Sequence, residues 1–573
     1  MKLTRTQTNN KVDMKSRNII TAFFIFVSTL LNAQSHNEQV TVEGSFTPHI
    51  KKSERILIKP TLPKHEFDIP RYDVSTEDFF YNYKVELEPM SPAQYINTDI
   101  QETTSNFIKA GIGTRLSPDF LFRHYSNISR NMSLGIGVTH NSTWLEMKDY
   151  PNSKYMNNDF SVSLNNRFSS FQLHSYINYD YDMYNLCYTP EVTTDDAPYT
   201  KRNIHSLNVK LLANNNETAY KSIYNEYMLD YSYSGIQGGI QENLAKFKAH
   251  IEHSNSWFRN GNGIQTLSLD INADIDNILS NGSQTSFLIV ANPYLAFDGD
   301  YYSLHLGFRI DAKTNYLGGF YPDLKGSLYL FERQLEFYAG LDGMTKINTL
   351  KNILKDNPFI VTDLIGFSEF DYEKTKLDFR GGVKFKALNK LSGHAGLSYK
   401  TVNNHVFYIR NADKLNTFDI ILNDCNIFNF NIDLHYRLKD DIKLAANFSY
   451  NKYNMIQAKS PDSLINALED IVNQEAWYKP QFEFTLRGTY KYNDNWNFNA
   501  ATYFEGKRYD LFNYEKVNVL KPFCDIQLGC DFNYNDNLAF YAEIKNLIHN
   551  KYQIYYNYPS YGFQTFVGFK YRF

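Results

Sequence analysis

Apolar and polar residues alternate with a period of two from about residue 105 to the end of the chain. The clearest examples are Leu267–Ile275, Tyr302–Ala312 and Phe428–Leu438, in which every second residue is apolar and the residues between are polar, charged or glycine. Because successive side chains of a β-strand point to opposite faces, this pattern predicts strands with one apolar and one polar face. Each stretch has the length of a tilted strand that crosses a bilayer, roughly 9–11 residues.

The same alternation recurs in about 22 segments, which predicts an all-β fold, a transmembrane antiparallel β-barrel over residues 105–573. In chain order the segments begin near Phe107, Phe120, Met132, Asp159, Phe171, Ile204, Ile223, Leu244, Ile264, Phe287, Tyr301, Leu324, Leu335, Lys376, Leu391, Ile427, Ile442, Gln481, Trp496, Phe523, Leu538 and Gly562.

The connections between these segments are of two kinds. Those that follow even-numbered segments are mostly short, as at Arg130–Asn131 and Lys439–Asp441. Those that follow most odd-numbered segments are long, and the longest are expected at about residues 345–373, 401–426, 453–480 and 507–521. Short turns at one end and long loops at the other are typical of outer-membrane barrels, and an even number of strands places both termini on the periplasmic side.

Residues 1–33 have the three parts of a secretory signal peptide. A basic leader precedes the apolar stretch Ile19–Leu31, and small and polar residues follow it, so we expect cleavage after Ala33. The apolar stretch is too short for a comfortable transmembrane helix. The alternative is a buried N-terminal helix. The pattern favours export. No cysteine lies near Ala33, so we do not expect a lipid anchor there.

Residues 34–104 differ in composition from both neighbouring regions. They contain six of the 17 prolines of the chain, namely Pro48, Pro60, Pro63, Pro70, Pro89 and Pro92. Proline at this density disfavours both helices and sheet ladders. We therefore expect an extended segment that lies in the periplasm or fills the barrel lumen, and it could bind a periplasmic or outer-membrane protein partner.

Composition and charge narrow the possible functions. The chain has 45 Tyr and 43 Phe, yet its mean hydropathy is −0.47, as expected for a large sheet with one apolar and one wet face. A net charge of −4 gives no sign of nucleic-acid binding or of a polybasic membrane patch. The four cysteines, Cys187, Cys425, Cys524 and Cys530, form no metal or redox motif, and we expect them to be packing residues.

No catalytic motif is recognisable, so we expect neither an enzyme nor a cofactor. His250 and His253 are close in sequence, but in a strand their side chains point to opposite faces, which disfavours a metal site. Isolated charges at alternate positions, such as Arg309, Asp311, Asp433 and Arg437, are better explained as the wall of a wet lumen than as a substrate site.

Two of the long loops show short helical periodicity. These are Thr349–Phe359 and Ser463–Val472; in the second, Ser463 is placed as an N-cap and Leu464, Leu468 and Ile471 share one face. A loop helix with an apolar stripe must cover something. It could fold into the barrel mouth or present a surface to a partner, and folding inward is the simpler interpretation.

The chain ends with a further alternating strand whose last residue is Phe573. Val567, Phe569, Tyr571 and Phe573 share one face, and this resembles the C-terminal sorting signal that the bacterial outer-membrane assembly machinery reads. The alternative explanation is simply the last strand of the barrel. Both explanations place the protein in the outer membrane, in contact with its lipids.

From about Ala539 onward the sequence resembles the C-terminus of TonB-dependent receptors of Bacteroidetes-type bacteria. The similar stretches are Ala542–Tyr552, with its Lys-Asn-Leu-Ile turn and Lys-Tyr pair, and Tyr558–Gly562. Near the mature N-terminus, Glu38–Pro48 is similar to the start of that family's plug domain. The resemblance implies a 22-strand barrel and a transport function without chemistry.

The family's plug domain, which closes the barrel from inside, is expected to be missing. The region between Ala33 and the first strand is short for such a domain, and it is rich in proline and almost free of glycine. Two functions therefore remain open. One is a transporter or channel for an unidentified solute, which the receptor-like barrel favours. The other is a non-transporting accessory or scaffold barrel in an outer-membrane assembly or secretion complex, which the lost plug favours.

Overall fold

The computed structural model of the chain describes residues 105–148, 150–186, 201–215, 223–255, 263–280, 282–314, 316–362, 372–387, 390–459, 469–512 and 516–573. The predicted signal peptide, the Pro-rich segment and Cys187 lie outside these residues. Within the described ranges, no helix is long and apolar enough to cross a membrane.

Twenty-two strands form one closed antiparallel sheet. The first strand, β1 (Ser105–Gly113), pairs with β2 (Ser117–Ser129) on one side and with the last strand, β26 (Gln564–Arg572), on the other. The closing register places Phe107 opposite Arg572. A sheet whose first and last strands pair has no free edge, so every strand finds backbone partners on both sides, as a strand surrounded by lipid must.

The intervening barrel strands are β3 (Met132–Thr143), β4 (Tyr155–Arg167), β5 (Phe171–Asn185), β6 (Lys201–Asn215), β7 (Ile223–Ile236), β8 (Gln241–Asn255), β9 (Gly263–Leu279), β10 (Ser283–Gly299), β11 (Tyr302–Lys313), β12 (Tyr316–Leu330), β13 (Leu335–Ile347), β14 (Tyr372–Ala387), β15 (Leu391–Arg410), β16 (Phe418–Lys439), β17 (Ile442–Lys459), β18 (Phe482–Lys491), β19 (Trp496–Glu505), β22 (Phe523–Asn533) and β23 (Leu538–Lys545). Every predicted segment begins within one of the 22 barrel strands or no more than two residues before it. The predicted barrel is confirmed.

On strand β11, the alternation of apolar and polar residues corresponds to the two faces of the barrel wall. Leu304, Leu306 and Phe308 on one face are exposed on the outside of the sheet, while His305 and Arg309, at the alternate positions, belong to the partly covered inner face. The exposed apolar positions recur on strand after strand. A continuous apolar exterior around a polar interior is the pattern of a barrel that sits in lipid.

The two ends of the barrel differ, as the connection lengths predict. We call the end where β2 turns into β3 the short-turn end and the end where β13 leads to β14 the long-loop end. At the short-turn end, only residues 130–131 separate β2 from β3 and only residues 440–441 separate β16 from β17. The long-loop end also has four short connections, after β1, β7, β9 and β11, so the prediction of long loops holds for most of that end rather than for all of it.

The predicted long loop at residues 401–426 is wrong. Strands β15 and β16 are 20 and 22 residues long and leave only residues 411–417 between them. Residues Phe407–Ile409 and Ile420–Leu422 are buried without alternation, because other segments cover both faces of this hairpin tip. A strand buried on both faces loses the period of two on which the prediction relied.

Two short hairpins lie outside the barrel sheet, both at the long-loop end. One consists of β20 (Arg508–Phe512) and β21 (Lys516–Leu520), inside the predicted loop at 507–521. The other consists of β24 (Gln553–Tyr555) and β25 (Tyr558–Pro559).

The two predicted loop helices have different outcomes. Helix α1 (Leu350–Asp356) confirms the first, and its N-cap is Thr349, whose hydroxyl accepts a hydrogen bond from the Asn352 N–H at 3.3 Å. The second is helical over α2 (Glu469–Val472). Its predicted cap, Ser463, lies outside the described residues.

Candidate functional site

The inner face of the barrel is lined with charged side chains held in pairs. Asp323 on β12 lies 2.9 Å from His305 Nε2 and 3.2 Å from Arg309 Nη2, and it accepts a hydrogen bond from Asn292 at 3.0 Å. Arg309 also donates to the carbonyl oxygen of Gly343 at 2.9 Å. These partners leave Asp323 1% exposed, so its charge is compensated by the wall itself.

The same arrangement continues on β13–β15. Arg380 Nη2 lies 2.6 Å from Asp342 Oδ2 and 3.0 Å from Asp378 Oδ2, and Lys400 Nζ lies 3.4 Å from Asp378. Further pairs join Lys109 to Glu543, Lys384 to Glu336 and Lys570 to Asp531. This part of the wall is therefore a ladder of paired charges of both signs.

The other predicted wall residues do not form one site. Asp311 accepts a hydrogen bond from the Gly319 N–H at 2.8 Å, where the register of β11 and β12 shifts. Asp433 accepts a hydrogen bond from the side-chain amide of Asn447. Arg437 is exposed near the short-turn end.

The two histidines of β8 lie at positions that face opposite sides of the strand, as predicted. His250 Nδ1 lies 2.6 Å from Asp270 Oδ1, and its Nε2 lies 3.3 Å from Glu252 Oε2, so His250 belongs to the wall. His253 stands three residues further along, at a position of opposite parity. In the described part of the chain, no group of three or more His, Cys, Asp or Glu residues could hold a metal ion.

The remaining predicted residues are placed as follows. Cys524 and Cys530 on β22 are free thiols of intermediate burial, and Cys425 is a free, buried thiol on β16. Val567, Phe569 and Tyr571 lie on the exposed face of β26, and Phe573, also exposed, follows it directly. Their role as a sorting signal stays a prediction.

The long-loop end holds the largest apolar core of the described residues, and we call it the cap. It comprises residues 348–362, the hairpin tip at 402–425, residues 471–481, and the segments that carry the two small hairpins, 506–512 with 516–522 and 546–563. Its buried members include Leu350, Ile353, Ile360, Phe407, Phe418, Ile421, Trp477, Leu511 and Tyr555. Because these segments follow different strands around the barrel, the core that they share joins one side of the mouth to another.

Hydrogen bonds tie the cap segments to one another. The Tyr555 hydroxyl donates to the backbone carbonyl of Asp356 at 2.7 Å, and Lys479 Nζ lies 2.9 Å from the Asp356 carboxylate. Ile360 forms a parallel bridge with Phe418 at the start of β16. Burial raises the pKa of Tyr555 well above its usual value, so the hydroxyl remains a hydrogen-bond donor.

A buried ion pair lies inside the cap. Arg410 Nη2, at the end of β15, is 2.7 Å from Asp510 Oδ2 on β20, and both side chains are almost fully buried. The Tyr478 hydroxyl and the Asn518 amide donate to the same carboxylate at 2.5 Å and 3.0 Å. Burial keeps the pKa of Tyr478 well above its usual value. The Arg410 guanidinium lies 3.8 Å from the ring centroid of Tyr556.

A second buried arginine joins the two small hairpins. Arg508 Nε lies 2.6 Å from Glu505 Oε1. The guanidinium also donates to the backbone carbonyls of Gln553, at 2.7 Å, and of Ile554. Sequence patterns did not indicate Arg410, Asp510 or Arg508. None of them belongs to a motif, and most of their partners are remote in sequence or are backbone carbonyls that carry no sequence signal.

The fold defines a structural class, the closed antiparallel β-barrels of 22 strands. Comparison with solved structures agrees. The chain is similar to a variant of the ferric enterobactin receptor PfeA of Pseudomonas aeruginosa, with a TM-score of 0.58 and 13% identity over 82% of this chain and 80% of that chain. It is also similar to the ferric-catecholate import receptor Fiu of E. coli K12, with a TM-score of 0.60 and 10% identity over 82% of each chain.

The siderophore receptor PirA of Acinetobacter baumannii gives a TM-score of 0.60 and 12% identity over 83% of this chain and 81% of that chain. At this identity the likeness shows the fold alone, a closed 22-strand barrel like those of these receptors. No family model matches the sequence, and no curated protein matches it either.

Proposed function

We propose that the protein is an outer-membrane transporter or channel that moves a polar solute through the barrel without chemistry. The observation that carries the proposal is the ladder of paired charges on the inner wall, enclosed in a barrel whose exterior is apolar. Charged side chains of both signs along a water-facing wall offer binding partners to a polar solute that passes. The solved structures of similar fold include a ferric enterobactin receptor and a ferric-catecholate import receptor, and they support the class but not a particular solute.

The ion selectivity of the barrel tests this proposal. Arg380 belongs to the wall ladder and is balanced by Asp342 and Asp378, so Arg380→Gln leaves excess negative charge on the wall. In planar bilayers we expect the reversal potential under a salt gradient to shift toward cation selectivity. The control is Phe379→Ala, on the outer face of the same strand, which should leave selectivity unchanged.

The alternative function, an accessory or scaffold barrel, is favoured by the cap. Its core of buried aromatic and aliphatic residues occupies the mouth through which a solute would enter. A pull-down of the tagged protein from outer membranes in gentle detergent, followed by mass spectrometry, separates the two functions. A stoichiometric protein partner together with absent conductance would establish the scaffold function and overturn transport.

Residues 34–104 have a place in either function. We propose that signal peptidase removes residues 1–33 and that the Pro-rich segment then lies in the periplasm or inside the lumen, where a plug domain would otherwise sit. Energised uptake through TonB is not part of the proposal, because this segment is short for a plug domain and almost free of glycine. A variant that lacks residues 49–104 should lose a periplasmic partner in the same pull-down if this segment binds one.

A further inference from the structure

One segment of the cap reaches from its own strand to a distant part of the barrel wall. We call residues 349–362 the strap. It follows β13, forms helix α1 and continues as an extended chain. At three points it contacts the long-loop ends of β6, β7 and β8, several strands away around the barrel.

The first point is Glu242 on β8, which is fully buried. Its carboxylate accepts hydrogen bonds from the backbone N–H groups of Leu350 and, at 3.3 Å, of Lys351. These N–H groups belong to the first turn of α1 and have no partner within the helix. The Glu242 carboxylate therefore supplies the hydrogen-bond acceptor that the first N–H groups of the strap lack within the helix.

The second point is Arg202 on β6, which is 6% exposed. Its Nη1 donates to the backbone carbonyls of Pro358 at 2.7 Å and of Ile360 at 2.6 Å. The wall thus binds the strap near both of its ends. The Glu242 carboxylate accepts from backbone N–H groups at the start, and the Arg202 guanidinium donates to backbone carbonyls near the end.

The third point is the turn between β7 and β8, where the backbone of the turn comes very close to the strap. A Cβ built on Gly239 would lie 3.0 Å from the Cβ of Thr362. This approach favours glycine, since a side chain here would press on the strap.

We propose that the seam between the strap and β6–β8 is where the mouth opens, and that Glu242 and Arg202 are its latch. The rest of the cap is bound internally by the Arg410–Asp510 pair and the shared apolar core, and separating those parts would expose buried charge and aromatic surface together. At the seam, the buried side chains that β6–β8 add to this core are aliphatic, among them Ile204, Ile236 and Ile240, and the polar contacts are those of two charged side chains with backbone groups. Water can replace the strap on both charges as it leaves. The inference rests on the proposed passage of a solute.

Thiol labelling tests the latch. Leu350→Cys places a reporter at a residue that is 1% exposed and adjoins Glu242. Its modification by a membrane-impermeant maleimide is followed by mass spectrometry of the peptide, which separates it from the native cysteines. Adding Glu242→Gln or Arg202→Gln should speed labelling about tenfold or more, because each change weakens a charge-assisted contact.

The matched control is Glu226→Gln. Glu226 lies on β7, accepts a hydrogen bond from Tyr224 at 2.9 Å and is remote from the strap, so labelling should stay at its basal rate. If both latch variants label at the basal rate while their barrels remain folded, judged by compact migration in unheated gels, the latch does not exist.

A disulfide gives a second test that does not depend on weakening the protein. Gly239→Cys with Thr362→Cys places two Cβ atoms 3.0 Å apart, slightly closer than in a disulfide, where they lie roughly 3.5–4.5 Å apart. A small shift of the strap is enough for the bond to form, so oxidation should lock the strap. Locking should slow labelling of the Leu350→Cys reporter, and a reductant should restore it; unchanged labelling on oxidation would overturn the proposal. Solute flux is measured separately. Flux absent in both states, with labelling as expected, would reject transport and leave the latch standing.

Discussion

At the scale of single residues, the charges with the largest consequences are those whose partners are far away in sequence. Arg410 and Asp510 are separated by 100 residues, and Glu242 and Leu350 by 108. Alternation predicts the face on which a strand residue lies, which is why Arg309 and Asp433 could be assigned to the wall. It carries no information about which loop folds back onto that face, so the buried pairs could not be predicted.

Replacing Asp510 by Asn tests how strongly the cap depends on its buried pair. Arg410 would remain buried with one charged partner removed, and such losses cost about 3–5 kcal/mol. We expect the cap segments, but not the barrel, to become sensitive to limited proteolysis. The control is Asp494→Asn, which removes an exposed ion pair with Lys491 at the short-turn end and should change nothing measurable. Equal protease resistance of the two variants would contradict this view of the cap.

At the scale of elements, the barrel strands were predictable because each carries its own pattern. A strand with lipid on one side and water on the other must alternate, whatever its neighbours are. The tip of β15 and β16 does not alternate, because it is the middle layer of the cap and is buried on both faces. Residues 401–426 therefore look like a loop in the sequence and are mostly strand in the structure.

The central position of this tip leads to a prediction for Phe407, which is fully buried. Phe407→Ala should destabilise the cap by about 3–5 kcal/mol, because it leaves a cavity between two covering layers. Hydrogen exchange should then accelerate at 402–410 and 418–425 while the barrel strands keep their protection. Phe379→Ala, on the exposed outer face of β14, is the matched control. Uniform acceleration through the barrel would show that the tip is not a separate layer.

At the scale of the whole molecule, closure depends on the last strand. β26 pairs with both β1 and β23, so the barrel cannot be completed until the C-terminus is in place. Closure was predictable from the sequence, because with an even number of strands the first and the last strand run antiparallel and can pair. The cap was predictable only in part, through the helical periodicity of Thr349–Phe359, since a closed mouth is a property of several loops together.

The outer face of the last strand leads to a prediction for assembly. Phe569→Ser with Phe573→Ser removes two of the four residues proposed as the sorting signal, and the amount of folded protein in the outer membrane should fall several-fold. Phe540→Ser is the control, because this residue is similarly exposed on β23 but outside the last strand. An equal fall in both proteins, measured by fractionation and gel migration, would show that lost apolar surface and not the signal is responsible.

The construction of the cap from remote segments also sets an order of events during folding. The barrel wall grows by pairing each strand with the next until β26 meets β1. In the cap, Tyr555 must find Asp356 across 199 residues and Tyr561 must reach the carbonyl of Ser153 across 408. Contacts with large sequence separation form late, because the chain between them must first be ordered. The closing contact of the wall and the contacts that cover the mouth therefore belong to the same late stage of folding, because both wait for the C-terminal part of the chain.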